Sequence, residues 1–88
     1  MDRSEARQRL QALWTPAVET NMGCEMYIDD ALTEEHSWGW VFYFVPRQPE
    51  QCQRPYKRRA FAFHRVSGDS IPVGTKGLEG ALLHLRPQ

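Results

Sequence analysis

The segment Trp38–Val45 (WGWVFYFV) constrains the fold of this 88-residue chain more than any other. Its aromatic and β-branched residues favour a strand, and Pro46 directly after it is typical of a strand end. At a period of two, one face carries Trp40, Phe42 and Phe44, and the other carries Val41, Tyr43 and Val45. Because both faces are apolar, we expect a central strand that is covered on both sides, or covered on one side and used for binding on the other.

The first segment of the chain has the periodicity of a helix. Asp2 and Glu5 have the spacing of a capping box, in which each side chain bonds the backbone of the other residue. The expected apolar stripe consists of Ala6, Leu10, Leu13 and Trp14. Because a residue before proline avoids helical dihedral angles, Thr15-Pro16 predicts that the helix ends near Trp14 and that residues 15–23 form a connection.

Three further segments are predicted to be strands, and one a helix. Cys24, Met26 and Ile28 alternate with polar residues, and residues 59–66 and 70–73 have strand character. Leu78, Leu82 and Leu85 have helical spacing and predict a C-terminal helix. The acidic segment from Asp29 to Ser37 and the proline-rich segment 46–57 are predicted to be loops.

These elements predict a single α+β domain over residues 1–88, in the order α-β-β-β-β-α. Short connections favour an antiparallel four-stranded meander over parallel crossovers. The N-terminal and C-terminal helices are expected to pack on one face of this sheet, where they bury their apolar stripes. The opposite face is then left open, which is typical of a binding surface. It carries Tyr27, Val41, Tyr43 and Ala62.

Composition argues against several classes of protein. Eleven basic residues balance eleven acidic ones, which argues against a dedicated nucleic-acid binder. No stretch reaches the roughly 18 apolar residues of a membrane span, and the N-terminus lacks the apolar core of a signal peptide. We therefore expect a soluble cytoplasmic protein, in which Cys24 and Cys52 are reduced thiols.

No residue pattern indicates catalysis, a cofactor or a metal. His36, His64 and His84 do not have the spacing of a metal pair, and the two cysteines lack a C-x-x-C arrangement. Glu34-Glu35-His36 could suggest acid–base chemistry, but consecutive side chains diverge. We expect no enzyme, no cofactor and no metal site.

Two stretches resemble the immunity protein 35 (YrhB-like) family. The first is YIDDALTEEHSWGWVFYF at residues 27–44, a strand with an acidic end, a T-E-E-type loop and a G-W strand. The second is RVSGDSIPVGT at residues 65–75, a turn and a short strand closed by G-T. Together they cover 29 of the 88 residues, about a third of the chain, and the proline-rich segment 46–57 departs from the family pattern.

The resemblance implies a small bacterial immunity protein that binds and neutralises a cognate toxin by occlusion. Acidic and aromatic side chains would then form the contact surface, because charges steer association and aromatic residues supply binding energy. The expected partner-binding residues are Tyr27, Asp29, Asp30, Glu34, Glu35, Trp38 and Tyr43. Two alternatives remain open: a chaperone-like or peptide-binding module, and a small RNA-binding domain centred on Lys57–Arg59. The sequence does not determine whether the domain dimerises.

Overall fold

The computed structural model describes residues 1–53 and 59–73 as an N-terminal helix packed on an antiparallel sheet. This confirms the α+β architecture; the predicted C-terminal helix lies outside the described residues. The helix α1 and the five strands are α1 (Arg3–Met22), β1 (Met26–Ile28), β2 (Glu34–His36), β3 (Gly39–Pro46), β4 (Arg59–His64) and β5 (Ser70–Pro72). Two short 3-10 helices lie at Asp30–Leu32 and Pro49–Gln51.

Helix α1 is longer than predicted, because it continues through Pro16 to Met22. Proline removes the backbone hydrogen bond to the carbonyl of Ala12. Both residues are solvent-exposed, so water can bond that carbonyl. Beyond the proline, Val18 and Met22 are buried, and their burial against the sheet favours helix over the predicted connection.

The termini of α1 show how its sequence defines its ends. The Asp2 carboxylate accepts a hydrogen bond from the Glu5 backbone N–H at 2.8 Å, as expected of an N-cap. Gly23 ends the helix with φ of 70° and donates its N–H to the Glu19 carbonyl. The prediction that Leu13 belongs to the buried stripe is wrong, since this side chain is 65% exposed.

Strand β3 is central, as predicted, with different partners on its two edges. Strand β4 pairs with residues 39–44 along one edge, and β5 continues the sheet beyond β4. The other edge is shared: β1 pairs with residues 44–46 and β2 with residues 39–41. The sheet therefore has five strands rather than four, because the acidic segment contributes β2.

The five residues 29–33 between β1 and β2 form a bulge. They stand opposite only Phe42 and Tyr43, since Ile28 pairs with Phe44 and Glu34 pairs with Val41. The Asp29 side chain accepts a hydrogen bond from the Ala31 N–H at 3.0 Å and starts the first 3-10 helix. The bulge thus moves Asp29 and Asp30 off the strand before Glu34 rejoins the sheet.

The core lies between α1 and one face of the sheet, which we call the helix face. It is built from the apolar stripe of α1 and alternate residues of β1, β3 and β4. Its buried members are Ala6, Leu10, Val18, Met22, Met26, Ile28, Trp40, Phe42, Phe44, Phe61 and Phe63. The predicted alternation of β3 is confirmed for this face.

The opposite face is not open at its centre, contrary to prediction. Ala62 is fully buried and Val41 is 2% exposed. Trp38, Ile71 and Val73 pack against Ala62 and form a small second cluster. We call this the outer face; its half-buried tyrosines lie nearer the β1–β2 edge.

Cys24 and Cys52 form a disulfide, so the prediction of two reduced thiols is wrong. The bond joins the end of α1 to the segment after β3, with the two Cα atoms 4.7 Å apart. A backbone hydrogen bond from Gln53 N–H to the Met22 carbonyl, at 3.1 Å, holds the same two segments together. The sequence separation of 28 residues gives no indication of this proximity.

Candidate functional site

Strand periodicity places four of the polar and aromatic side chains on one patch of the outer face. Glu34 and His36 are two residues apart on β2, so they point to the same side of the sheet. Tyr43 lies on the neighbouring strand β3, diagonally across from Glu34. Trp38 follows in the turn between β2 and β3. We call Glu34, His36, Trp38 and Tyr43 the Glu34 cluster.

Glu34 is the centre of this cluster, because neighbouring side chains engage both of its carboxylate oxygens. The Tyr43 hydroxyl donates a hydrogen bond to Oε2 at 2.6 Å, and His36 Nε2 lies 3.2 Å from Oε1. The Tyr43 hydrogen bond is the main cause that lowers the pKa of Glu34; burial opposes it, and the hydrogen bond and charge of His36 lower the pKa further. Glu34 is therefore a carboxylate at neutral pH, which suits it to binding a cation rather than to donating a proton.

An aromatic pair extends the cluster beyond the carboxylate. The His36 ring stacks on the Trp38 indole, with centroids 5.0 Å apart and planes 10° from parallel. Trp38 in turn packs against buried Ala62, so its position is held by the sheet. The cluster is partly exposed, with 47% of the Glu34 side chain and 30% of the His36 side chain accessible.

The other four predicted contact residues lie apart from the cluster. Tyr27 shares the outer face, but its ring packs under the guanidinium of Arg47, whose Cζ is 4.8 Å from the ring centroid. Asp30 forms an ion pair with Arg7 at 2.8 Å, while Asp29 bonds the backbone of the bulge. Asp30 therefore stabilises the contact between α1 and the bulge, and Asp29 stabilises the bulge itself.

Glu35 points to the helix face, because it alternates with its neighbours on β2. There its Oε2 lies 3.8 Å from Nη2 of Arg65. The same Nη2 donates a hydrogen bond to the His36 carbonyl at 2.8 Å, and the Arg65 guanidinium covers the ring of Trp40 with its Cζ 4.8 Å from the centroid. Through these contacts, Arg65 holds β2 against the β3–β4 pair.

Sequence reasoning missed His36 and Arg65 as partners of the predicted residues. The two-residue spacing of Glu34 and His36 was a usable signal, because it places both on one face once the segment forms a strand. Arg65 carried no such signal, since its contacts depend on the pairing of β3 with β4.

Within residues 1–53 and 59–73, no group of three or more His, Cys, Asp or Glu side chains could hold a metal ion. The same residues contain no helix long and apolar enough to cross a membrane.

Comparisons with known proteins add no support to the motif resemblance. No family model matches the chain, and no curated protein or solved structure is detectably similar to it. The assignment to the immunity protein 35 family therefore stays a prediction from residues 27–44 and 65–75.

Proposed function

We propose that this chain is an immunity protein that binds a bacterial toxin through the Glu34 cluster and has no catalytic activity of its own. The observation that carries the proposal is the Glu34 carboxylate, which Tyr43 and His36 hold beside the partly exposed, stacked rings of His36 and Trp38. The segment that resembles the immunity family supplies all four residues of the cluster. Within that segment, β1, the bulge and β2 lie along the same edge of β3.

The chemistry of the cluster favours a protein partner with a basic contact surface. A preorganised carboxylate loses little conformational entropy when it meets an arginine or lysine, and residual oxygen lone pairs remain to accept hydrogen bonds. Tryptophan and tyrosine are the residue types that contribute most to protein interfaces. Occlusion of a basic toxin surface needs only this complementarity, which is why we infer no cofactor and no reaction.

The two alternative functions have weaker support. An RNA-binding strand would present Phe61 and Phe63 to bases, yet these rings are 4% and 2% exposed and belong to the core. A chaperone-like module would use an open apolar sheet face, but Val41 and Ala62 are buried. Lys57 and Arg58, which the RNA-binding alternative also needs, lie outside the described residues.

The proposal is tested by co-expression with the product of the neighbouring gene, which the proposal expects to be the cognate toxin. We expect rescue of growth and a stable complex, and we expect Trp38→Ala to weaken that complex by roughly 30-fold, the effect of an interface hot spot. Glu34→Gln should weaken it as well, with loss of salt dependence. Glu50→Gln is the matched control, since it removes an exposed acidic side chain outside the cluster.

Three outcomes would count against this assignment. Absence of both growth rescue and a stable complex would rule out the immunity function. A complex that neither Trp38→Ala nor Glu34→Gln weakens would move the interface elsewhere on the protein. Unselective suppression of aggregation of a model client would instead favour the chaperone-like alternative.

We also propose a cytoplasmic location, as the family resemblance implies. The Cys24–Cys52 disulfide argues against this location, because cytosolic proteins rarely keep disulfides, so the oxidation state of the pair in the cell tests the proposal. Alkylation of thiols in intact cells, followed by fractionation, measures the oxidation state in each compartment. Reduced cysteines in the cytoplasmic fraction would support the location, and an oxidised pair in the periplasmic fraction would contradict it.

A further inference from the structure

A groove with a volume of about 290 Å³ lies between the second half of α1 and the strands β4 and β5. Its apolar wall includes Trp14, Ala17, Phe61 and Pro72, and Asn21 and Arg59 supply polar groups. This volume is at the lower end of the range of small-molecule sites. The groove opens on the helix face, so it is separate from the Glu34 cluster on the outer face.

The aromatic wall of the groove is held in place by contacts within the fold. The Trp14 indole Nε1–H donates a hydrogen bond to Ser70 Oγ at 2.8 Å. The Trp14 and Phe61 rings lie with centroids 4.8 Å apart and planes tilted by 38°. Phe61 is itself buried in the core. A planar apolar ligand would therefore meet a surface that is already ordered, which lowers the entropic cost of binding.

Arg59 brings a positive charge to the groove. Its Nη2 lies 2.9 Å from Asn21 Oδ1 and 3.5 Å from Met22 Sδ, and both of these partners are neutral. Within residues 1–53 and 59–73, no carboxylate forms an ion pair with this guanidinium. A guanidinium has five N–H donors, so capacity remains for a bidentate bond to a carboxylate.

We propose that this groove binds a small aromatic carboxylate. Its ring system packs against Trp14 and Pro72, the more exposed residues of the apolar wall, and its carboxylate accepts hydrogen bonds from Arg59. The charge selects an anion, and the apolar wall selects an aromatic body over a simple inorganic ion. This inference is independent of the proposed immunity function, because it uses the opposite face of the sheet.

The probe for this site is 1-naphthoate, titrated into the isotope-labelled full chain and followed by NMR. We expect saturable shifts at the Trp14 indole N–H and at the Phe61 amide. The neutral analogue 1-naphthalenemethanol should bind roughly tenfold more weakly, since it cannot form the charge-assisted hydrogen bonds. Equal affinity for both compounds, or no shift at Trp14, would overturn the proposal.

Two variants test the two halves of the site. Arg59→Gln removes the charge and should weaken naphthoate binding by roughly tenfold, whereas Arg47→Gln, a change of an exposed arginine away from the groove, should not. Ala17→Trp should fill the groove and abolish binding while Arg59 stays intact. If circular dichroism shows that the Arg59→Gln variant does not fold, the binding result for Ala17→Trp alone decides whether the proposal holds.

Binding that neither variant weakens would overturn the proposal. Occupation of the groove by another segment of the same chain would also overturn the proposal. Nuclear Overhauser contacts from the methyl groups of Leu78, Leu82 or Leu85 to the Trp14 indole, recorded without a probe, would show that these leucines fill the groove.

Discussion

The carboxylate of Glu19 accepts a hydrogen bond from the backbone N–H of Met26 at 2.9 Å. This N–H lies on the edge of β1 that faces away from β3. On the opposite edge, the Glu25 carbonyl accepts a hydrogen bond from the Arg47 N–H, and the Asp29 N–H donates one to the Tyr43 carbonyl. A second helix side chain, Arg7, reaches the Ile28 carbonyl on the same edge at 3.4 Å. Side chains of α1 therefore occupy polar groups that an exposed edge strand would otherwise offer to another strand.

This contact predicts the effect of changing Glu19. Glu19→Ala should lower the free energy of unfolding by about 1–2 kcal/mol, because it removes a charge-assisted hydrogen bond to a partly buried N–H. Urea denaturation measures the loss. Glu19→Gln retains an acceptor and should lose less, so equal losses in the two variants would contradict the role of the hydrogen bond.

The disulfide predicts a strong dependence of stability on oxidation. Reduction, or the double change Cys24→Ser and Cys52→Ser, should lower the free energy of unfolding by about 3–4 kcal/mol, because the bond restricts a long loop in the unfolded chain. Thermal denaturation with and without reductant checks this. The double variant should show no response to reductant, and free thiols in the oxidised native protein would contradict the bond.

The lowered pKa of Glu34 predicts the direction of its pH dependence. Since the folded-state pKa lies below 4.5, its carboxylate contributes stability that is present above that pH and is lost as pH falls through the folded-state pKa. Tyr43→Phe removes the principal hydrogen bond and should raise the Glu34 pKa towards 4.5, as measured by NMR titration of the carboxyl carbon.

Tyr27→Phe is the control for this titration. Tyr27 also lies on the outer face but packs against Arg47, so its hydroxyl should have no effect on the pKa of Glu34. If the two variants shifted that pKa equally, the Tyr43 hydrogen bond would not be its cause.

Gly39 predicts a steric requirement at the start of β3. It pairs with His64 on β4, and a Cβ at this position would overlap the carbonyl oxygen of Phe63. Gly39→Ala should therefore cost about 1–3 kcal/mol, as expected for overpacking against backbone. Gly68→Asn is the control: its φ of 75° suits asparagine and a Cβ there would make only ordinary van der Waals contacts with Arg9 and Met1, so the loss should stay within about 0.5 kcal/mol. Equal losses at both positions in chemical denaturation would contradict the steric explanation.

Alternation in the sequence was sufficient to predict the helix face of the sheet. Trp40, Phe42 and Phe44 are buried as their period of two indicates, and β1 shows the same pattern at Met26 and Ile28. This succeeds because neighbouring residues of a strand point to opposite faces whatever the rest of the chain does.

The end of α1 and the extra strand β2 could not be predicted in the same way. A local rule against helix before Pro16 was overridden by the burial of Val18 and Met22 against the sheet. Likewise, Glu34–His36 has the composition of a loop, and it becomes a strand because β3 supplies the hydrogen-bonding partners.

The sequence by itself determined the class of the fold, the central strand and the residue types available for binding. Only the tertiary structure decided that Cys24 meets Cys52, that Tyr43 fixes Glu34 and that Arg59 borders an apolar groove. Periodicity reports the direction of a side chain relative to its own element. The distance between side chains of different elements depends on how those elements pack, which no local pattern specifies.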